Sequence, residues 1–440
     1  MTPPVAGDLG LLAPVWAGTP VADRTDDRAV VQRLLDVEHA WLAVCVEVGL
    51  APEAALEGLD QGAGVFAAES YDGPSLARRC PMGGNPLIPL LADLRQQLGD
   101  HPAASQVHAG ATSQDVLDTA LMLLAADVLD AALPELDAAL AALVDLAERH
   151  RDTIAVARSL GQPSLPTTFG LRAAGWLAGL SAATDELARA RAALPLQWGG
   201  AAGTRANLVT RLASAGLTVT ADEGTALLAG RLALRDVPPW HTDRQVVLRL
   251  ATAVAGVLAA LGTIAADVVT ASRPEIGELR EPAAPGRGGS SAMPHKRNPV
   301  LSVLLRSAAL QAPGLLATVA LAAGSAVDER PDGAWHAEWS TVRDLLRLLG
   351  GAAPKAAELL GGLEVDPAAL RANLDRALPD LLSEKRAALP PGQRDQPDAL
   401  GAPEDYLGQA HELTDRILRE HRARAAERPA RPAPDRRQHP

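Results

Sequence analysis

The stretch GRGGSSAMPHKRNPV, residues 286–300, follows neither a helical nor a strand period. Three glycines, two adjacent serines and a Met-Pro break precede His-Lys-Arg-Asn-Pro. Gly286, Gly288 and Gly289 free the backbone to turn or to approach a ligand closely. From Pro282 to Val327 the strong cations are Arg287, Lys296, Arg297 and Arg306, with no Asp or Glu. In a chain of formal net charge −12 this local reversal points to an anionic ligand rather than to a solvated basic turn. A serine at 290 or 291 can act as nucleophile or base only where its anion is stabilised, which Lys296 and nearby backbone N–H groups can do. Asn298 can donate to a carboxylate, and Pro299 suits the start of the next helix. His295, a lone histidine in a basic loop, is read as structural.

The surroundings of this loop are strongly apolar. Leu250–Ala266 and Ser307–Val327 run for 17 and 21 residues without a charge. The first is shorter than the ~20 residues of a membrane span, and the second contains Gln311, Pro313, Gly314 and Ser325. Helices apolar on all sides belong in a large core or against copies of themselves, so a long helical bundle shared between subunits is expected, and no membrane. With 48% hydrophobic but only 2% aromatic residues, Ala, Leu and Val must build that core, a palette that favours helix.

Apolar spacing predicts long helices over about Ser113–His150, with Pro134 as a kink, and over Thr168–Ala193, Thr242–Ser272 and Pro299–Ala323. Loops are expected at 157–168 (ARSLGQPSLPTT), 197–204 (QWGGAAGT) and 237–242 (VPPWHT). Upstream, a helical pattern lies within 26–59, and a Gly- and Pro-containing segment at 70–86 leads to a helix at Leu87–Leu98. Three domains are expected: an N-terminal helical one over 1–104, a central long-helix bundle over 105–349 and a shortened C-terminal one over 350–440. In the last, Gly350–Asn373 and Tyr406–Ala425 read as helices, and the chain from about 426 reads as a solvated tail.

Several function classes are excluded. An acidic chain without a long basic run is no general nucleic-acid binder. Cys45 and Cys80 lie far apart without CxxC spacing, which argues against a disulfide framework or a cysteine zinc site. His336 and Glu338 form an HxE without the HExxH of a zinc protease, and no GxSxG or Walker loop occurs, so no metal and no nucleotide cofactor are expected. The first ten residues lack the order of a signal peptide, and a cytoplasmic protein is expected.

A second loop reads HAGATSQDVLDTALM, residues 108–122. Thr112 and Ser113 precede an apolar helix with Asp115 in its first turn, as N-cap chemistry predicts. The same helix N-terminus, with free N–H groups and two hydroxyls, can hold a carboxylate. GSSAMPHKRNP resembles the signature loop of the fumarase/aspartase superfamily, HAGATSQDVLDTA its first motif and QWGGAAGT its second-region glycine segment. PWHTDR, GELREPAAPGRGGSSAMPHKRNP, DERPDGAWHAEW and DYLGQA are similar, more narrowly, to the branch of bacterial 3-carboxy-cis,cis-muconate cycloisomerases. The likeness covers about Leu11 to Ala410.

That resemblance implies a mostly α, three-domain fold whose central bundle assembles into a homotetramer with shared active sites. It implies Ser290 as the base that moves the proton α to a carboxylate. Lys296 and Asn298 would hold that carboxylate and its enediolate-like form. Thr112, Ser113 and Gln162 would contact substrate carboxylates, and His241, Arg330 and His336 would belong to the site. The implied reaction is lactonisation of 3-carboxy-cis,cis-muconate, a tricarboxylate, to 4-carboxymuconolactone in protocatechuate degradation through β-ketoadipate, without cofactor. Two alternatives stand beside it: a fumarate-releasing lyase acting on nitrosuccinate or adenylosuccinate, and a non-catalytic structural tetramer. Amine-releasing members carry a histidine where this chain has Leu160, and leucine cannot transfer a proton. Pro163 and a short segment before DYLGQA are further departures from the cycloisomerase pattern.

Overall fold

An Ala- and Leu-rich chain with few aromatics builds its core from helices. The computed structural model describes residues 9–289, 293, 296–378, 380–394 and 400–427, and these are mostly α. The N-terminal part carries α1 (Pro20–Arg24), α2 (Asp27–Glu47), α3 (Gly73–Gly83) and α4 (Leu87–Leu98). Helix α5 (Ser113–Arg149) leads through β1 (Ile154–Ser159) and β2 (Gln162–Thr168) into α6 (Phe169–Ala192). Two short helices, α7 (Ala206–Ser214) and α8 (Ala221–Arg231), precede α9 (Gln245–Ala271) and β3 (Leu279–Arg280). Then come α10 (Val300–Gly324), α11 (Ala334–Gly361), β4 (Glu364–Val365), α12 (Pro367–Ala377), α13 (Ser383–Ala388) and α14 (Ala410–Glu427).

The core is a bundle in which α10 lies along α9 and α11, α5 along α6 and α11, and α6 along α9. Helices α9 and α10 are long and apolar enough to cross a membrane by length and composition. Both are packed into this bundle, and α9 buries Leu250, Val254, Leu258 and Leu261 in it. Helix α10 also keeps an apolar stripe in the open: Val303, Leu310 and Leu321 are 51%, 77% and 73% exposed. Their spacings of seven and eleven residues place them on one face. Pro134 lies inside α5, which continues on both sides of it.

Two expectations are corrected. Residues 157–168 are not a loop but most of an antiparallel hairpin, with Ile154 opposite Thr168 and Ser159 opposite Gln162. Its two-residue turn is Leu160 and Gly161, both at positive φ (51° and 80°), the geometry that matches strand twist. The turn hides in sequence because leucine rarely adopts that conformation. Likewise Gly350 does not start a new helix, since α11 runs unbroken from Ala334 to Gly361. Gly350 and Gly351 are close-packing positions: a Cβ on Gly351 would lie 2.4 Å from the Val15 carbonyl oxygen.

The hairpin is anchored by one buried acid. Glu278, fully buried, accepts from Arg158 Nη1 and Nη2 (2.9 and 2.6 Å) and from Asn373 Nδ2 of α12 (2.8 Å). Most of the expected solvated tail, 428–440, lies outside the described residues.

Candidate active site

The order Thr-Ser-Gln-Asp at 112–115 makes the start of α5. The Thr112 N–H donates to Asp115 Oδ2 (3.0 Å), one half of a capping box. Asp115 is fully buried and does much more than cap. Its Oδ1 accepts from the Gly199 N–H (2.7 Å), Gln197 Nε2 (3.2 Å) and His241 Nε2 (3.1 Å), and its Oδ2 from the Gly200 N–H (2.9 Å). One carboxylate therefore fastens the 197–204 loop and His241 to the helix N-terminus. Glycine is required at 199, where a Cβ would sit 2.8 Å from His241 Cε1 and 2.8 Å from Pro239 Cβ.

Arg330 arrives from the segment before α11. Its Nη2 donates to Thr112 Oγ1 (2.6 Å) and to the Ala201 carbonyl (3.3 Å). Its Nε is buried and has no partner among the described residues. Thr112, Ser113, His241 and Arg330 are thus brought together around the 199–203 loop: a helix N-terminus, hydroxyls, a guanidinium and an imidazole. That donor set suits a carboxylate.

Behind it sits a charged layer. Arg244 is almost fully buried and donates to both Asp118 oxygens (2.7 and 3.1 Å) and to Glu338 (Nη2 to Oε2, 2.5 Å), with its guanidinium 4.9 Å from the Trp240 ring centroid. Trp335 Nε1 also donates to Asp118 (2.9 Å). Gln114 Nε2 bridges Asp118 (3.2 Å) and the His241 carbonyl (2.9 Å). One cation here serves two carboxylates. Burial alone would push Arg244 down, but the two carboxylates hold it above its ordinary range, whereas burial pushes the Glu338 carboxyl up against the pull of Arg244.

Ser290, Ser291 and His295 lie outside the described residues. Asn298 ties together the two sides of the chain that flank them. The Gly288 carbonyl accepts from both the backbone N–H (2.9 Å) and Nδ2 (3.1 Å) of Asn298. Gly288 has φ +71°, and a Cβ there would lie 2.6 Å from the Asn298 carbonyl oxygen. Glu281 caps α10 by accepting from the Leu301 and Ser302 N–H groups (3.0 and 2.7 Å). The local excess of positive charge is therefore smaller than the sequence implies. Glu281 stands one residue before the acid-free stretch, and Arg287 pairs with Glu358 at 2.6 Å rather than standing free for a ligand.

Lys296 is exposed, with its N–H on the Met293 carbonyl (3.0 Å). Gln162 is exposed at the hairpin turn, and His336 is exposed with Nε2 3.0 Å from the Gly84 carbonyl oxygen. No hydrogen bond or ion pair among the described residues joins Gln162, Lys296, Asn298 or His336 to the Thr112–Arg330–His241 group. Sequence reasoning assigned no site role to Asp115, Asp118 or Arg244, nor to Glu38, a fully buried acid 2.7 Å from His108 Nδ1. The signal for Asp115 was its three-residue spacing from Thr112, and Arg244 stood in PWHTDR.

Comparison with known proteins defines the class. Residues 89–314 match the model of a family described as lyase. A nitrosuccinate lyase of Streptomyces davaonensis is 44% identical over 387 residues, 87% of this chain and 80% of that one. A 3-carboxy-cis,cis-muconate cycloisomerase of Bradyrhizobium diazoefficiens is 40% identical over 373 residues, 83% of this chain and 79% of that one. The crystal structure of 3-carboxy-cis,cis-muconate lactonizing enzyme from Pseudomonas putida matches with a TM-score of 0.84 at 33% identity, covering 94% of this chain and 100% of that one. The chain belongs to the lyase family, with the fumarase/aspartase-type fold.

Proposed function

We propose that this protein is an enzyme that lactonises 3-carboxy-cis,cis-muconate to 4-carboxymuconolactone, a step of protocatechuate degradation in the cytoplasm. The observation that carries this reading is the likeness to the lactonizing enzyme of Pseudomonas putida over 94% of the chain. In lactonisation an internal carboxylate adds to the conjugated double bond and one proton reaches the resulting carbanion. Ser290 delivers that proton, while Lys296 and Asn298 hold the charge that develops. Thr112, Ser113, Gln162, His241, Arg330 and His336 bind the carboxylates. In the reverse direction the leaving group is a carboxylate, whose conjugate acid has a pKa of about 4, so no general acid is needed. Leu160 in place of a histidine is compatible with that chemistry, and no step calls for a metal or organic cofactor.

The 44% identical nitrosuccinate lyase supports a second reading, because nitrite is also a weakly basic leaving group. The deciding experiment supplies each substrate separately and follows loss of the muconate diene absorbance or release of nitrite, with Ser290→Ala alongside. Rapid diene loss abolished by that substitution is expected. Nitrite release without diene loss would replace the first reading by the second.

The proposal includes a homotetramer in which the exposed α10 stripe is covered by other copies. Joining Leu310→Glu with Leu321→Glu is expected to shift the native mass to smaller species and to remove activity. An unchanged tetramer in native mass spectrometry would move the interface elsewhere.

A further inference from the structure

His241 is held at one ring nitrogen and open at the other. The residue is 5% exposed, with Nε2 3.1 Å from Asp115 Oδ1. Asp115 also receives the N–H groups of Thr112, Gly199 and Gly200 and the Gln197 amide, a donor set that fits only the ionised, acceptor form of a carboxyl. The imidazole must then carry its hydrogen on Nε2, and in the neutral ring Nδ1 is a bare acceptor. Nδ1 is buried and has no partner among the described residues. It borders the glycine loop, for a Cβ on Gly203 would lie 3.7 Å from it. The same loop's Ala201 carbonyl receives Arg330, whose Nε is likewise buried without a partner among the described residues. The two are complementary defects, a donor without an acceptor and an acceptor without a donor, and leaving them so is costly. A carboxylate satisfies the Arg330 N–H directly, and Nδ1 only once that nitrogen carries a proton.

We propose that His241 takes up one proton when a carboxylate ligand binds and then holds that carboxylate through Nδ1–H, with Asp115 orienting and stabilising the imidazolium. The proton comes from solvent and goes to Nδ1. The carboxylate stays ionised, and no carbon bond changes. This rests on the proposed carboxylate chemistry but is the same for either substrate. Among the described residues the charged group bonded to the ring is Asp115 on α5, and Arg330 reaches the same loop at the Ala201 carbonyl. Arg244 touches the His241 carbonyl (3.4 Å), and its own charge is met by Asp118 and Glu338, one layer further back.

The test uses the assembled protein and tricarballylate, a saturated tricarboxylate that cannot react. Calorimetry at pH 8, in HEPES and in Tris, reads protons taken up per ligand bound, since the ligand's own carboxylates are ionised there. Wild type is expected to take up about one proton as an imidazole becomes charged. His241→Gln keeps an amide that reaches Asp115 but has no Nδ1; uptake is expected to vanish and affinity to fall about tenfold or more. His241→Asn keeps a donor near the Nδ1 position and is expected to bind better than His241→Gln, also without uptake. Nitrogen-15 spectra of the wild-type ring should show the Nε2–H form when free and both nitrogens protonated when bound. The proposal is overturned by an Nδ1–H free ring, by uptake that survives in His241→Gln, or by tricarballylate binding without uptake or not at all. None of these outcomes depends on whether muconate or nitrosuccinate is turned over, so failure here is separable from failure of the substrate assignment.

Discussion

Replacing Arg244 by methionine is expected to destabilise the fold by about 3–5 kcal/mol, because it leaves Asp118 and Glu338 buried without a cation. Both acids are about 99% buried, and the arginine is their shared partner. Methionine fills much the same space beside Trp240, so lost packing is the smaller part. The deficit should also depend on pH, with a definite sign. Burial raises the Glu338 carboxyl in the folded protein, so the folded state binds a proton that the unfolded chain has already released. Stability from that group is complete below the ordinary carboxylate range and is lost as pH rises through the raised value. Removing Arg244 takes away the pull that limits the rise. Urea unfolding at pH 5 and pH 8 should therefore show a wider gap between wild type and variant at pH 8. Equal gaps would mean that the arginine's contribution does not act through the titration of Glu338 and lies instead in the guanidinium's contact with the Trp240 ring.

The helices were legible because their causes are local. Alanine and leucine at helical spacing place α4 at Leu87–Leu98, as expected, and α6, α9 and α10 within a few residues of expectation. The hairpin was not, because its second strand contains Pro163 and Pro166 and its turn begins with a leucine at positive φ. These are poor strand and turn formers taken singly, and what holds them is Glu278, 120 residues from its partner Arg158. Gly350 and Gly351 misled for the same kind of reason. A glycine that lets Val15 and Val21 approach a helix reads, in sequence alone, like one that ends a helix.

The site divides along the same line. Thr112 and Ser113 announced themselves as a helix start, and His241 and Arg330 were reached through resemblance. Neither route showed that these two would border one loop, because the joining contacts span 126 residues from His241 to Asp115 and 218 from Arg330 to Thr112. The charge count around the signature loop was read along the chain, and so it missed Glu358, 71 residues from Arg287. The three-residue spacing of Asp115 from Thr112 marks a helix cap, and nothing in that spacing marks the four further donors that converge on the carboxylate.

That convergence gives Asp115→Asn a large expected effect on activity, although the carboxylate is not assigned to the proton transfer. The two side chains have nearly the same shape, so packing is preserved, but the amide replaces one acceptor oxygen by an N–H donor. Among the described residues, every hydrogen bond to the Asp115 carboxylate comes from a donor: Thr112 and Gly200 on Oδ2, and Gly199, Gln197 and His241 on Oδ1. Whichever way the amide turns, its NH2 faces at least two N–H groups that have no other acceptor in this set. Each buried donor left without an acceptor costs about 1–3 kcal/mol, and the loop can relieve the clash only by moving away from the helix. Such a move displaces Ala201 from Arg330 and releases His241, the two groups argued to grip the substrate. Misplacement on the order of 1 Å costs roughly a hundredfold in rate, and losing the imidazole's carboxylate partner adds to it, so kcat/KM should fall about a hundred- to thousandfold. Most of the fall should lie in kcat/KM at low substrate, where free enzyme must assemble the grip on the carboxylate. Asp115→Glu, which keeps the charge but pushes it one methylene too far, should not restore activity. If Asp115→Asn kept wild-type kcat/KM with its melting temperature merely lowered, the carboxylate would be a fastening of the fold alone, and the orientation of His241 would have to come from Gln114 and Arg244 at its carbonyl.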